Sequence, residues 1–261
     1  MKVLLALCFF AILLGVTSCS TTGSKQTADT RCFEMRIYTA PAGRLNDLHA
    51  RFRDHTMALF EKHGIQNIGY WVPIDNQENK LIYVIAYPNR DVQKKMWNDF
   101  ASDPDWKVAQ AASEKNGRIV SKVESYFLTA TDYSPMIQIT KSNPPRTFEL
   151  RTYTTTPGKL ANLDERFRDH TINLFKKYGM QNVVYWHRMP DQKNAADTLV
   201  YILAHKSQKA GLASFDGFRK DPKWVAAKQA SEDKAGGSLT VPDPNGVVSV
   251  YMTPTDYSPM K

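Results

Sequence analysis

The chain has 261 residues, of which 42% are hydrophobic and 23% are charged, and this is the composition of a globular protein rather than a disordered one. Lys and Arg outnumber Asp and Glu by 34 to 26, and the net charge of +8 favours anionic ligands or surfaces. Because the basic residues are spread among acidic ones, the sequence predicts no nucleic-acid-binding patch.

The N-terminal segment is typical of an exported protein. After Lys2, residues 3–16 form an apolar run that is too short to span a bilayer and has the form of a signal peptide. The run ends in Val-Thr-Ser before Cys19, a sequence that resembles a bacterial lipobox. We therefore expect removal of residues 1–18, lipidation of Cys19 and anchoring to the cell envelope through that lipid. The alternative is an ordinary secretory signal with a chance cysteine.

The next segment, residues 19–32, is rich in Ser, Thr, Lys and Gln and is predicted to be a flexible tether. Ser20 directly after the lipidated cysteine predicts the outer membrane if the source is Gram-negative. Cys8 lies in the predicted signal peptide and Cys19 carries the lipid, so only Cys32 remains and no intramolecular disulfide is expected. Cys32 lacks the surroundings that activate a nucleophilic thiol.

An internal repeat determines the predicted architecture. Residues 33–71 align with residues 148–186 without a gap and are identical at 22 of 39 positions. The alignment shifts by three residues in the following loop, and each copy then repeats an Asp-Pro-x-Trp segment and a final Thr-Asp-Tyr-Ser-Pro-Met segment. We therefore divide the chain into a first copy at residues 33–136, a linker at 137–147 and a second copy at 148–260.

Each copy is predicted to fold in the order βαββαβ, which is typical of a ferredoxin-like unit with both helices on one face of its sheet. The two uncovered sheet faces would pack against each other, so the predicted fold is α+β, with two tandem ferredoxin-like units forming an intramolecular dimeric α/β barrel. In the first copy the predicted elements are a strand at 33–38, a helix at 45–63, strands at 67–72 and 81–87, a helix that Asp103 caps and Pro104 begins, and a strand at 123–128.

Four recurring motifs resemble the NIPSNAP family over residues 33–136 and 148–260. They are the Phe-Glu-(Met/Leu)-Arg-x-Tyr strand, the Arg-Phe-Arg-Asp-His-Thr segment, the Asp-Pro-x-Trp helix start and the terminal Thr-Asp-Tyr-Ser-Pro. The resemblance implies the dimeric α/β-barrel superfamily, which includes cofactor-independent monooxygenases and haem-binding proteins. It implies no single reaction.

Alternation along the first strand separates apolar from polar side chains. We expect Phe33, Met35 and Ile37 to face the helices and the polar residues to face the barrel interior. The interior would then hold either a Glu–Arg ion-pair network that locks the two sheets or a ligand pocket in which arginines bind an anion. The polar residues are Glu34, Arg36, Tyr38, Glu149, Arg151 and Tyr153.

His55 and His170 recur at one position of the first helix, three residues after a Phe, and are predicted to lie near its inward stripe. Each is either a general base or a core imidazole with a structural hydrogen bond. Trp71 and Trp186 are predicted to face the cavity. We expect a site between the sheet and first helix of one or both copies, formed by His55, Arg36, Tyr38 and Trp71, or by His170, Arg151, Tyr153 and Trp186.

The sequence contains no Gly-rich phosphate loop, no Gly-x-Ser-x-Gly elbow, no Cys-x-x-Cys and no His-Glu-x-x-His. We therefore expect no cofactor and no metal. Two functions remain open. The protein is an envelope lipoprotein that binds a small aromatic or anionic molecule or a protein partner, with no requirement to oligomerise. Alternatively, it is a cofactor-independent monooxygenase or isomerase, with His55 or His170 as base and Arg36 or Arg151 stabilising an enolate-like anion.

Overall fold

The structure is a computed structural model that describes residues 29–261. The predicted signal peptide, Cys19 and most of the predicted tether lie outside the described residues. The last part of the predicted tether belongs to the folded body, because Asp29 is buried and Cys32 begins the first strand. No helix within residues 29–261 is both long and apolar enough to cross a membrane.

Eight antiparallel strands close into one barrel in the order β1-β3-β2-β8-β5-β7-β6-β4. The fold is therefore α+β with a closed barrel, as predicted. Within the first repeat the strand order is β4-β1-β3-β2, and β2–β8 and β4–β6 pairing joins it to the second repeat. The strands are β1 (Cys32–Thr39), β2 (Gln66–Pro73), β3 (Lys80–Tyr87), β4 (Lys122–Ala130), β5 (Thr147–Thr154), β6 (Gln181–Arg188), β7 (Thr198–His205) and β8 (Val247–Pro254).

Helices cover the outer face of each sheet. The predicted first helix forms in each repeat, but a π-helical turn interrupts it, at Phe52–Thr56 and at Phe167–Thr171. The other helical segments are α1 (Leu45–Arg51), α2 (Met57–Lys62), α3 (Arg90–Ser102), α4 (Pro104–Glu114), α5 (Leu160–Arg166), α6 (Ile172–Lys177), a short 3-10 turn (Ala195–Asp197), α7 (Gln208–Lys220) and α8 (Pro222–Lys234).

Asp103 caps α4, with Pro104 at its first position, as predicted. The helix α3 was not predicted from the sequence. It precedes this cap and is itself capped by the Asn89 side chain. Each repeat therefore has three main helical regions where two were predicted, and the second repeat has the short 3-10 turn in addition.

The two faces of the first strand are opposite to those predicted. Phe33 and Met35 belong to the apolar cluster inside the barrel, where they meet Phe148 and Leu150 of the second repeat. Glu34, Arg36 and Tyr38 point toward the helices, as do Glu149, Arg151 and Tyr153. The barrel interior is formed by two apolar sheet faces, whereas the helix side supplies hydrogen-bond partners for the buried carboxylates.

Candidate functional site

A cavity of about 460 Å3 lies between the sheet of the first repeat and its helices, which is where the sequence predicted a site. Its size is within the usual range for small-molecule sites. It combines a mostly aromatic wall with a few polar side chains. The lining residues are Tyr38, Arg51, Phe52, Thr56, Phe60, Tyr83, Trp97, Phe100, Ala101, Trp106, Gln110, Glu114, Arg118, Val120 and Val123.

Aromatic rings from the sheet and from the helices pack against one another around the cavity, at tilted or edge-to-face angles. Phe52, in the π-helical turn, lies with its ring centroid 5.0 Å from that of Tyr83. The Phe100 centroid is 5.5 Å from that of Trp97 and 4.6 Å from that of Trp106. Such a wall provides a large, rigid contact area for a flat aromatic ligand.

The hydroxyl group of Tyr83 is the most unusual polar group in the wall. Tyr83 is fully buried, and its hydroxyl forms no hydrogen bond of good geometry within residues 29–261, although it lies close to the Tyr38 hydroxyl. Burial raises the pKa of Tyr83 well above its ordinary value, so the group remains a neutral phenol. An unsatisfied buried hydroxyl is costly, and a ligand oxygen in the cavity would relieve that cost.

Two arginines supply positive charge to the same cavity. Arg51 is buried, its Nη1 lies 3.2 Å from a carboxylate oxygen of Glu114, and its guanidinium carbon is 5.2 Å from the Trp106 ring centroid. The Nε of Arg51 has no described partner. Arg118 is exposed and forms no ion pair within the described part of the chain. The Arg51 charge is thus largely neutralised, whereas Arg118 can attract an anion.

Arg36 lies beside the cavity and forms the predicted ion pair with Glu34 on the same strand rather than between the two sheets. Glu34 also accepts hydrogen bonds from Tyr87 (2.7 Å) and Ser125 (2.6 Å). The other Arg36 terminal nitrogen donates to the Tyr38 hydroxyl at 3.1 Å. Burial lowers the pKa of Arg36, but interactions with neighbouring tyrosines and Glu34 outweigh it and raise this pKa overall. Arg36 is therefore occupied by a protein carboxylate.

The second repeat contains the same network with one substitution. Arg151 binds Glu149 at 2.6 Å and donates to the Tyr153 hydroxyl at 3.3 Å. His205 replaces Tyr87 and lies 2.9 Å from the other Glu149 oxygen. Burial would raise the pKa of Glu149, but hydrogen bonds from His205 and Ser249 and the Arg151 charge lower it overall.

The histidine prediction is wrong in its geometry. His55 and His170 are both exposed, on the outer face of their helices. Each lies in a π-helical turn, whose hydrogen bonds span five residues rather than four. Because the turn is wider, Thr56, four residues after Phe52, lies on the buried face. His55, three residues after Phe52, points toward solvent.

Trp71 and Trp186 face the barrel interior and pack in its apolar core, on the opposite side of the sheet from the residues with which they were predicted to form a site. The Trp71 ring is 5.4 Å from Phe148, and the Trp186 ring is 5.4 Å from Phe33. The sheet thus separates them from the arginines and tyrosines, so the two predicted four-residue sites do not form.

Several groups that form the cavity, above all Tyr83 and Arg51, were not predicted from the sequence. Their signal was available, because each has an identical counterpart in the second repeat, Tyr201 and Arg166. No group of three or more His, Cys, Asp or Glu side chains that could hold a metal ion occurs in the part of the chain that the structure describes.

The NIPSNAP family model matches residues 33–135 and 148–237. "Protein NipSnap homolog" of Dictyostelium discoideum is 26% identical over 209 residues, covering 79% of this chain and 83% of that protein. A proposed monooxygenase from Lactobacillus acidophilus NCFM is 11% identical, with TM-score 0.51 over 87% of this chain and 94% of its own. An anthrone oxidase-like protein is 10% identical, with a TM-score of 0.55, and the match covers 87% of this chain and 92% of that protein. The two structures share the fold, and the family match covers both repeats: the chain belongs to the NIPSNAP family.

Proposed function

We propose that the protein is a lipid-anchored envelope protein that binds a small aromatic molecule carrying a phenolic or anionic group in the cavity of the first repeat. One observation carries this proposal: a cavity with many aromatic lining residues lies between the sheet and helices of the first repeat, and the Tyr83 hydroxyl in its wall lacks a well-formed hydrogen bond. A phenol or carboxylate oxygen of a ligand would accept its hydrogen bond.

The surroundings of Tyr83 support the proposed ligand class. Phe52, Trp97 and Phe100 offer apolar ring faces and edges to a flat ligand. Arg118 is free of ion pairs within residues 29–261 and would bind an acidic substituent at the mouth of the cavity. The ligand class is therefore a hydroxylated aromatic acid of one or two rings.

The anchor and the finer architecture are part of the same proposal. The lipobox-like sequence before Cys19 supports lipid attachment, with the tether holding the barrel near the membrane. The strand order β4-β1-β3-β2 supports the interpretation of each repeat as a ferredoxin-like unit that carries one additional helix.

Titration calorimetry with 1-hydroxy-2-naphthoate tests the binding site. We expect one bound molecule per chain, and Tyr83→Phe should weaken binding about three- to tenfold, as expected for one hydrogen bond. Ala101→Trp should abolish binding, because a large ring at this position would fill the mouth of the cavity. The variant should fold, since the second repeat carries Arg219 at the corresponding position.

The matched control is Tyr201→Phe, which removes the corresponding hydroxyl from the second repeat. It should leave the affinity unchanged. Equal losses in Tyr83→Phe and Tyr201→Phe, or full binding by Ala101→Trp, would contradict a site in the first repeat.

A second candidate function is that of a cofactor-independent oxygenase acting on the same class of molecule. The shared fold with the proposed monooxygenase and the anthrone oxidase-like protein favours it. Deprotonation of a bound phenol needs a base. Glu114 is the one carboxylate among the lining residues that the structure describes, and it is paired with Arg51. Dioxygen uptake that requires both 1-hydroxy-2-naphthoate and Glu114 would establish this function over simple binding.

A further inference from the structure

A second cavity, of about 470 Å3, lies inside the barrel at the end where β1 and β5 finish. Residues that alternate along these strands face the two cavities separately: Met35 and Ile37 line the interior one, and Tyr38 lines the aromatic one. The sheet of the first repeat therefore separates the two cavities.

The two cavities differ in chemistry. The inner part of the interior cavity is lined by aliphatic side chains from both repeats, among them Ile37, Ile82, Leu150 and Val250, and polar residues of the β2–β3 turn complete its lining. Tyr126 is its only aromatic lining residue among those described. An aliphatic wall of this kind suits a flexible hydrocarbon chain, and each methylene group removed from water favours binding.

Polar groups occupy one side of this cavity because the repeats differ there. Arg188 of the second repeat corresponds to Pro73 of the first repeat. Tyr126 of the first repeat corresponds to Val250 of the second repeat. β4 and β6 are neighbouring strands, and the Arg188 guanidinium carbon lies 4.6 Å from the Tyr126 ring centroid. Arg188 and Tyr126 thus add a basic and an aromatic group to a cavity that also has the polar β2–β3 turn in its lining.

Arg188 is the cation in this wall that lacks a carboxylate partner within the described chain. Its Nε is buried without a hydrogen-bond partner, and its Nη1 donates to the Lys193 carbonyl at 2.8 Å. Lys80, the other cation in the wall, pairs with Glu78 at 2.9 Å. The remaining acid in the wall, Asp75, is exposed on the β2–β3 turn.

We propose that the barrel interior binds a medium-chain fatty acid, with its chain between the two sheets and its carboxylate on Arg188. The guanidinium fork matches a carboxylate and would satisfy the buried Nε. This binding site is independent of the aromatic site of the first repeat, so both ligands bind at the same time.

The experiment titrates dodecanoate, below its micellar concentration, into the full chain. Arg188→Gln should weaken dodecanoate binding about tenfold or more, which is the size of one charge-assisted contact. It should leave the binding of uncharged dodecanol unchanged. Arg219→Gln, which removes an exposed arginine on α7, is the control for net charge and should have no effect.

Val250→Trp should abolish binding of both dodecanoate and dodecanol by filling the cavity. The first repeat holds the ring of Tyr126 at the corresponding position, so the strand tolerates an aromatic side chain there. A diazirine-bearing fatty acid provides a test that does not depend on this variant, and it should label peptides of β1, β3 or β8 in the unaltered protein.

Three results would overturn the proposal. They are labelling confined to the helices, competition between dodecanoate and 1-hydroxy-2-naphthoate for one site, and equal dodecanoate affinity in the Arg188→Gln and Arg219→Gln variants. If the protein does not bind 1-hydroxy-2-naphthoate but does bind dodecanoate, the aromatic site is contradicted and the interior site is not. The two proposals are therefore tested independently.

Discussion

The guanidinium of Arg53 and the carboxylate of Asp256 bind each other through two hydrogen bonds, of 2.7 and 2.8 Å, although 203 residues separate them. Arg168 of the second repeat and Asp132 of the first repeat form the equivalent pair, with hydrogen bonds of 2.9 and 2.8 Å. The Thr-Asp-Tyr-Ser-Pro segment that ends each repeat therefore binds the π-helical turn of the other repeat. This reciprocal contact explains why both motifs occur twice in the sequence.

The serine of this segment should contribute more stability than the aspartate. Ser258 is buried, and its hydroxyl oxygen accepts a hydrogen bond from the Tyr70 amide at 2.9 Å. Ser258→Ala leaves that amide unsatisfied and should lower the free energy of unfolding by about 1–3 kcal/mol. Asp256→Asn breaks an exposed pair and should cost about 1 kcal/mol or less. Urea unfolding measures both values, and a larger loss for Asp256→Asn would contradict this assignment.

The first repeat on its own should not remain a soluble monomer. A chain of residues 29–146 would expose the apolar sheet face that carries Phe33 and Met35 and would leave the outer edges of β2 and β4 unpaired. We expect it to aggregate or to form a homodimer in which two copies rebuild the barrel. Light scattering coupled to size-exclusion chromatography gives the mass, and a stable monomer would argue against the mutual dependence of the two sheets.

The repeat and its strand and helix periods were sufficient to predict the barrel, since two homologous sheets each needed a partner. They were insufficient to predict which face is inside. Both faces of the first strand are buried in this fold, and periodicity alone cannot distinguish them. The orientation depends on long-range partners, because Tyr87 and Ser125 reach Glu34 only from the helix side.

Local irregularities caused the remaining errors about the site. A β-bulge between Asn67 and Gly69 breaks the alternation of β2. As a result Asn67 faces the helices, donating to the Met57 carbonyl, whereas Trp71 faces the barrel interior. The π-helical turn displaced His55 from the helical face in the same way. Neither irregularity has a composition that marks it in a single sequence.

Cys19 should be the lipidated first residue of the mature protein. Intact mass spectrometry of protein purified from its native membrane should show a chain that begins at Cys19 and carries acyl groups. Cys8→Ser should leave this modification unchanged, because Cys8 lies in the segment that is predicted to be removed. An unmodified chain that begins at any other residue would contradict the lipobox interpretation.

The stability of the protein should depend on both partners of the Glu34–Arg36 ion pair. Glu34 is buried and the Arg36 side chain is only 12% exposed. Glu34→Gln leaves a buried guanidinium without a carboxylate and should lower the free energy of unfolding by about 3–5 kcal/mol. Replacing both residues with Met should recover part of this loss, since no unpaired charge remains. A loss below 1 kcal/mol for Glu34→Gln, as in an exposed pair, would show that water reaches the network.

Asp221 should give the protein a stability that acid removes. Its side chain caps α8 by accepting from the Lys223 amide at 2.8 Å and binds the Lys177 ammonium at 2.5 Å. The hydrogen bond from Lys177 and that from the Lys223 amide lower the pKa of Asp221 from 3.8 to about 2. Because the folded-state pKa is the lower one, this contribution is complete above pH 3.8 and is lost as the pH falls toward 2.

Asp221→Asn should therefore have a lower melting temperature than the unaltered protein at pH 6, with the difference shrinking between pH 4 and pH 2. Asp243→Asn, in an exposed turn without a described ion pair, should follow the unaltered protein throughout, and a constant difference for Asp221→Asn across this range would contradict the lowered pKa.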